Sequence, residues 1–220
     1  MLSSAARQMD ETHLVRPPFI YINGYPGVGK LSVAKELCKL LPRAKVVSNH
    51  LLIDPAAAIF DRTAEEYQPL RQALRREVLK SIAAAKSTRD VTWIFTDQQS
   101  SSESGSSSAR DYQNAAAMRD GSPFVSVILL CELDENLKRA AAGKDRGNGS
   151  NNTKLTDLDM LRDIREREDI FHFEDDYELE LDVTHLSASE AASKIYEHIL
   201  VWNFQKTFLL VSKAQNFKCN

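Results

Sequence analysis

The sequence is poor in the features that mark several protein classes. Cysteine is scarce, and the three present (Cys38, Cys131 and Cys219) are odd in number and far apart. They have neither the paired spacing of a zinc site nor the makings of a disulfide framework, so a reducing compartment is expected. An excess of one charge is also missing. Twenty-eight basic and 31 acidic side chains leave a formal charge of −3, without the positive surplus of a nucleic-acid binder. The most apolar internal run, Phe124 to Cys131, is a strand in length, far short of the roughly 20 residues of a membrane helix. The first sixteen residues carry Arg7, Asp10, Glu11 and Arg16 and no apolar stretch that would make a secretory signal. A Ser/Ala/Arg-containing start is compatible with a mitochondrial presequence, but the acidic pair argues against one. No internal repeat is found. What remains is 220 residues, 43% hydrophobic, enough for one domain with a full core. The expectation is a cytoplasmic, soluble protein without a nucleic-acid or membrane partner, as monomer or homodimer.

Short β-rich runs alternate with helical stretches. Phe19 to Ile22 follows Pro17-Pro18 and predicts a buried strand, and Leu31 to Leu41 predicts a helix stopped by Pro42. Lys45 to Ser48 predicts a second strand. Thr63 and Glu66 form a capping-box pattern, opening a helix to about Lys86 with Tyr67, Leu70, Leu74, Val78 and Ile82 inward. Val91 to Thr96 predicts a third strand. Gln98 to Ser108, with seven serines and one glycine, predicts a mobile loop. A helix over Ala109 to Arg119 leads to a fourth strand, Phe124 to Leu130, and Asp134 caps a short helix through Ala141. Gly143 to Thr153 is polar, basic and rich in Gly and Asn, the composition of a flexible segment. A charged helix over Asp157 to Ile170 precedes a fifth strand, Leu179 to Val183, and Ser187 with Glu190 caps the last helix. Five strands separated by helices imply an α/β fold with a parallel sheet covered on both faces. Ligands then bind at the carboxyl ends of the strands.

One of those ends carries a motif. Gly24-Tyr25-Pro26-Gly27-Val28-Gly29-Lys30 matches the GxxxxGK of a phosphate-binding loop, between a buried strand and a helix. Glycines let successive amides point at one anion, the helix N-terminus adds partial positive charge, and Lys30 adds a full charge for the β- and γ-phosphates. Leu31 and Ser32 continue the nucleotide-binding stretch. The position after the lysine usually holds a Ser or Thr hydroxyl for Mg²⁺. Here it is Leu31, and Ser32 points about 100° away on the helix.

With this loop, the chain resembles P-loop kinases of the nucleotide-kinase, shikimate-kinase and gluconate-kinase type. It resembles more closely the AAA-labelled fungal and bacterial proteins with a GxPGxGKL[ST] loop. Those also carry an Asn-His pair after the second strand, matching Asn49-His50, and a Lys-Leu-Thr-Asp segment, matching Lys154 to Asp157. The resemblance covers roughly residues 18–200. It implies a three-layer fold with a five-stranded parallel sheet of order 2-3-1-4-5, an acceptor over the ends of the second and third strands, and a basic lid. The expected division is an N-terminal extension over 1–17, the kinase-like domain over 18–200 with a lid at about 142–156, and a tail over 201–220. The expected cofactors are ATP and Mg²⁺.

Candidate residues follow from that topology. Asp97 ends the third strand, where a carboxylate can hold Mg²⁺ or take a proton from an acceptor hydroxyl. His50 and Asp54, after the second strand, are expected to bind the acceptor. Arg139, with Lys144, Arg146 and Lys154, surrounds the polar segment after the fourth strand and is expected to neutralise charge on the γ-phosphate. Arg162, Arg165 and Arg167 are interleaved with acids, which predicts surface pairing. Three functions fit these residues: a kinase phosphorylating a small-molecule acceptor, a P-loop NTPase or nucleotide-binding accessory protein without one, and an interaction domain retaining the loop as scaffold.

Overall fold

The structure, a computed structural model, describes residues 16–119, 121–144, 157–175 and 177–201. Nearly all of the expected lid (with Arg146 and Lys154), almost all of the N-terminal extension and the tail beyond residue 201 lie outside the described residues, as does the side chain of Lys144.

Five strands form one sheet: β1 (Phe19–Gly24), β2 (Ala44–Ser48), β3 (Thr92–Thr96), β4 (Phe124–Leu130) and β5 (Leu179–Asp182). All neighbours are parallel, in the order β2-β3-β1-β4-β5. This is the predicted order. β1 lies at the centre, and all six of its residues are buried. Its alternation divides the core into two layers. Ile20 and Ile22 pack with Val33, Ala34 and Leu37 of α1 (Lys30–Leu40) and with Ala191, Ala192, Ile195 and Ile199 of the last helix, residues 188–201. Phe19 and Tyr21 face the opposite side. They meet Leu79 and Ile82 of α3 (Tyr67–Ala84) and Ala109 and Tyr112 of α4 (Glu103–Ala117). Each large apolar side chain so enclosed contributes about 1.5–3 kcal/mol of transfer free energy.

The differences from expectation lie in the connections. Residues after β2 form a helix, α2 (His50–Ala57), which tolerates Pro55 in its interior. The residues from Ala58 to Glu66 are then taken up by successive turns, with Ala64 N–H donating to Asp61 and Tyr67 N–H to Ala64. Thr63 therefore does not cap α3, which starts later, at Tyr67, with no side-chain cap. The register of α3 is also turned: Tyr67, Arg75, Leu79, Ile82 and Ala83 are buried, while Leu70, Leu74 and Val78 are half-buried.

The serine-rich segment is not a loop throughout. Ser102 accepts a bond from Gly105 N–H and caps α4, which begins at Glu103. Serine hydroxyls favour this position because they satisfy first-turn amides. Gly105 is required there, because a Cβ would run into the backbone of Ser100. The helix after β4, α5 (Leu133–Lys144), extends past Ala141. The charged helix, α6 (Leu158–Arg167), starts about where predicted, with Asp157 as its N-cap, but it stops short of Ile170, which forms an antiparallel bridge with Ser100. The Ser187–Glu190 capping box is present with both reciprocal bonds.

Candidate active site

Beyond β1 the chain turns through Tyr25–Gly29 into α1. Gly24, Gly27 and Gly29 have φ of 147°, 79° and 104°, values that L side chains rarely adopt. At Gly24 a Cβ would stand 2.6 Å from the Leu129 carbonyl oxygen of β4, so only glycine lets the loop leave the sheet there. At Gly29 a Cβ would meet nothing within 4 Å. Open space stands at the point where α1 begins. Gly29 caps α1 without a side chain, leaving its first-turn amides no side-chain acceptor. Such amides, with the positive end of the helix dipole, form an anion cradle.

Lys30 lodges its ammonium in this loop. The Nζ donates to the carbonyl oxygens of Gly24 at 2.6 Å and Tyr25 at 2.8 Å. Burial lowers its pKa from 10.5 to about 7, and the Asp97 carboxylate pulls the other way. A bound polyphosphate favours the charged form, so nucleotide binding above that pH takes up a proton. Affinity should therefore be flat below about pH 7 and fall by up to about tenfold per unit above it. Titration calorimetry at a series of pH values measures this, and a profile flat to about pH 9 would contradict it. Stability has the opposite sign. Between pH 7 and 10.5 the free fold binds fewer protons at Lys30 than the unfolded chain does, so this group makes the fold more stable as pH rises through that window.

Next to the loop, at the ends of β2 and β3, lies a buried polar cluster around Asp97. Its Oδ1 accepts from the Asn49 carboxamide and from Gln98 N–H at 2.8 Å. Its Oδ2 accepts from Gln99 Nε2 at 2.7 Å and from the Tyr112 hydroxyl at 3.0 Å. Four bonds fill a carboxylate's acceptor sites. Burial, with the Asp97 charge adding to it, holds the hydroxyls of Tyr112 and Tyr21 protonated well above the ordinary tyrosine range. Arg71 of α3 completes the cluster, its Nη2 3.8 Å from Asp97 Oδ1 and 3.5 Å from Asn49 Oδ1. Its Nε is buried without a hydrogen-bond partner among the described residues. His50 and Asp54 stand one turn apart on α2 beside this cluster's Asn49, both half-buried.

On the other side of the loop, two arginines behave differently. Arg139 of α5 spends its guanidinium on structure. It donates to the carbonyls of Val183 (2.8 Å), Thr184 (2.9 Å) and Val28 (3.3 Å), and to Glu135 at 2.9 Å. It ties the phosphate-type loop to the turn after β5. Arg165 of α6 lies with its guanidinium 4.7 Å from the centroid of the Tyr25 ring. Among the described residues its one hydrogen bond is to Asn136 Oδ1 at 2.9 Å, and Asn136 in turn donates to Pro26 O at 2.9 Å. Arg162 and Arg167 pair with Asp159 and Asp163, as their spacing predicts.

Sequence reasoning passed over Arg71 and assigned Arg165 to surface pairing with acids, whereas Arg165 meets Asn136 and the Tyr25 ring instead. Arg71 had a signal: it lies one turn from both Tyr67 and Arg75, on a row of α3 whose other members are buried. Arg165 had none, because its partner Tyr25 is 140 residues away in sequence.

The donor sets fit the two expected cofactors unequally. The glycine cradle, uncapped amides and Lys30 fit a polyphosphate. They fit a resident Mg²⁺ poorly. Leu31 offers no oxygen, the Asp97 acceptor sites are taken, and no group of three acids, histidines or cysteines among the described residues could hold a metal. Among the described residues no helix is long and apolar enough to cross a membrane.

No protein-family model matches the chain, and no curated protein does. Solved structures do. A gluconokinase from Sinorhizobium meliloti superposes with a TM-score of 0.56 at 14% identity, covering 88% of this chain and 97% of that one. The APS kinase of Mycobacterium tuberculosis, in complex with AMPPNP and APS, gives 0.53 at 15% identity, covering 84% and 99%. Thymidylate kinase from Candida albicans gives 0.52 at 16% identity, covering 84% and 92%. At such identities the likeness is one of fold: this chain has the P-loop kinase fold, a parallel sheet of order 2-3-1-4-5 with a glycine loop leaving its central strand.

Proposed function

We propose that the chain is an ATP-dependent phosphotransferase that moves the γ-phosphoryl group to a small-molecule acceptor. The observation that carries this reading is a pair of anion-seeking sites joined through Asp97. One is the glycine cradle with Lys30, whose charge Asp97 supports. The other is Arg71, a guanidinium with a buried donor left over, at the ends of β2 and β3 where an acceptor would lie. An NTPase needs the first site alone. The likeness to small-molecule and nucleotide kinases supports the same reading.

In this reading the backbone amides and Lys30 hold the β- and γ-phosphates, and catalysis is positioning plus charge neutralisation. Arg165, with most of its donors uncommitted among the described residues, stands beside the loop's Tyr25 as the cation for the transferring group. Arg139, whose donors are spent on carbonyls, holds the loop against the turn after β5. Asp97, also expected as base or metal ligand, acts here as a buried anchor that orients Asn49 and Arg71 and supports the Lys30 charge. His50 and Asp54 border the acceptor side. Mg²⁺ would arrive with the nucleotide, since the chain offers it few oxygens.

The test is a screen of small hydroxyl- and phosphate-bearing metabolites for acceptor-dependent ADP formation. An acceptor that raises ADP release at least about tenfold over ATP alone supports a kinase. Phosphate release that no acceptor changes would overturn it in favour of an NTPase, a reading that Leu31 and the fully engaged Asp97 would then explain.

A further inference from the structure

Tyr25 occupies a position in the glycine loop where the motif itself asks for no particular side chain, yet its side chain is engaged at both ends. Its ring lies under the Arg165 guanidinium, 4.7 Å from centroid to carbon. Its hydroxyl donates to the Glu168 carbonyl oxygen at 2.7 Å, and Glu168 is the residue that caps the C-terminus of α6. Arg165 is also steered from the other side by Asn136, which is itself buried and bonded to Pro26 of the same loop. The loop therefore holds α6 at three points, and two of them are the ring and hydroxyl of one residue.

Stacking an arginine on an aromatic face fixes the plane of the guanidinium while leaving its edge N–H groups free to donate. Of the five donors on Arg165, the bond to Asn136 takes one. The arrangement contrasts with Arg139, where the surrounding carbonyls take the donors. A guanidinium held flat above a phosphate cradle with open edges is suited to the outermost phosphate of a nucleoside triphosphate, which a diphosphate lacks.

We infer that Tyr25 is a positioning residue. Its ring holds Arg165 over the loop and thereby makes the site distinguish nucleoside triphosphate from diphosphate. This rests on the phosphotransferase reading above, but it is read out by binding alone and needs no acceptor. It also gives the loop a role in setting the place of α6, since the same side chain ties down the end of that helix through Glu168.

The test is calorimetric titration of the full chain with ATP and with ADP, comparing the ratio of the two dissociation constants. The wild-type protein is expected to favour ATP roughly tenfold, the scale of one charge-assisted contact to phosphate. Tyr25→Leu and Arg165→Ala should each bring the ratio to about one, and the double variant should go no lower. Tyr25→Phe keeps the ring and loses only the Glu168 bond, so it should keep the preference. A purely structural role for Tyr25 would weaken both nucleotides together and leave the ratio alone. A wild-type ratio near one, or a Tyr25→Leu variant that keeps the preference, would overturn the inference while leaving the phosphotransferase reading in place. Wild-type protein that binds neither nucleotide would end both.

Discussion

Replacing Asp97 with alanine should cost the fold about 3–5 kcal/mol, the range for leaving a buried charge without its partner. The loss has two sources. Arg71, with its side chain 18% exposed, would lose the one carboxylate that pairs with its guanidinium among the described residues. Gln99 and Tyr112 would each lose an acceptor in a place that water does not readily fill, and the half-buried Asn49 would lose one as well. Asp97→Asn is the sharper variant because it keeps the volume. Whichever way its carboxamide turns, an NH₂ faces donors: the Asn49 carboxamide and Gln98 N–H on one side, Gln99 and the Tyr112 hydroxyl on the other. A donor set against a donor forfeits a bond and strands both groups, so about 2–4 kcal/mol is expected. Urea unfolding of both variants measures this. A change below about 1 kcal/mol would mean that the network is not formed in solution. A fall in phosphoryl transfer should accompany the loss, since the same carboxylate supports the charge of Lys30.

Lys30→Ala should do the reverse: it should abolish nucleotide binding while sparing the fold. The ammonium contributes to ATP affinity as a full charge inside a cradle of dipoles, and its loss should weaken binding roughly a hundredfold or more. Its contribution to the free fold is of opposite sign. The lowered pKa shows that burial disfavours the charged form, so removing the charge should leave the melting temperature at neutral pH unchanged or raised. Thermal melts and calorimetry on the same preparation separate the two effects. A variant that melts earlier and still binds ATP would reverse the assignment of Lys30 from ligand holder to structural residue.

The strands and the loop were legible in the sequence because their signals are local. Phe19 to Ile22 is a short apolar run after two prolines, and the glycines that follow are spaced for one task. The order of the sheet came from the resemblance that this loop supports, and the registers around β1 agree with it. The connections were less legible. Seven serines around Gly105 read as a loop, yet the same hydroxyls that compete with helix interiors make good caps, and Ser102 uses one to start α4. Thr63 and Glu66 have the spacing of a capping box, but the turns that bring the chain from α2 to α3 use those residues first. The side chains around the site were least legible of all. Arg139 and Arg165 look alike in sequence, and only the tertiary contacts show that the first is committed to carbonyls and the second is stacked on Tyr25.

The central claim is that the main-chain amides of this loop close on a polyphosphate. Amide hydrogen exchange across residues 24–34, with and without ATP, tests it most directly. The uncapped amides at the start of α1 should slow by at least about tenfold when nucleotide is bound, and Lys30→Ala should remove most of that protection. Exchange at those positions that ATP leaves unchanged, in protein whose sheet amides remain protected, would contradict it.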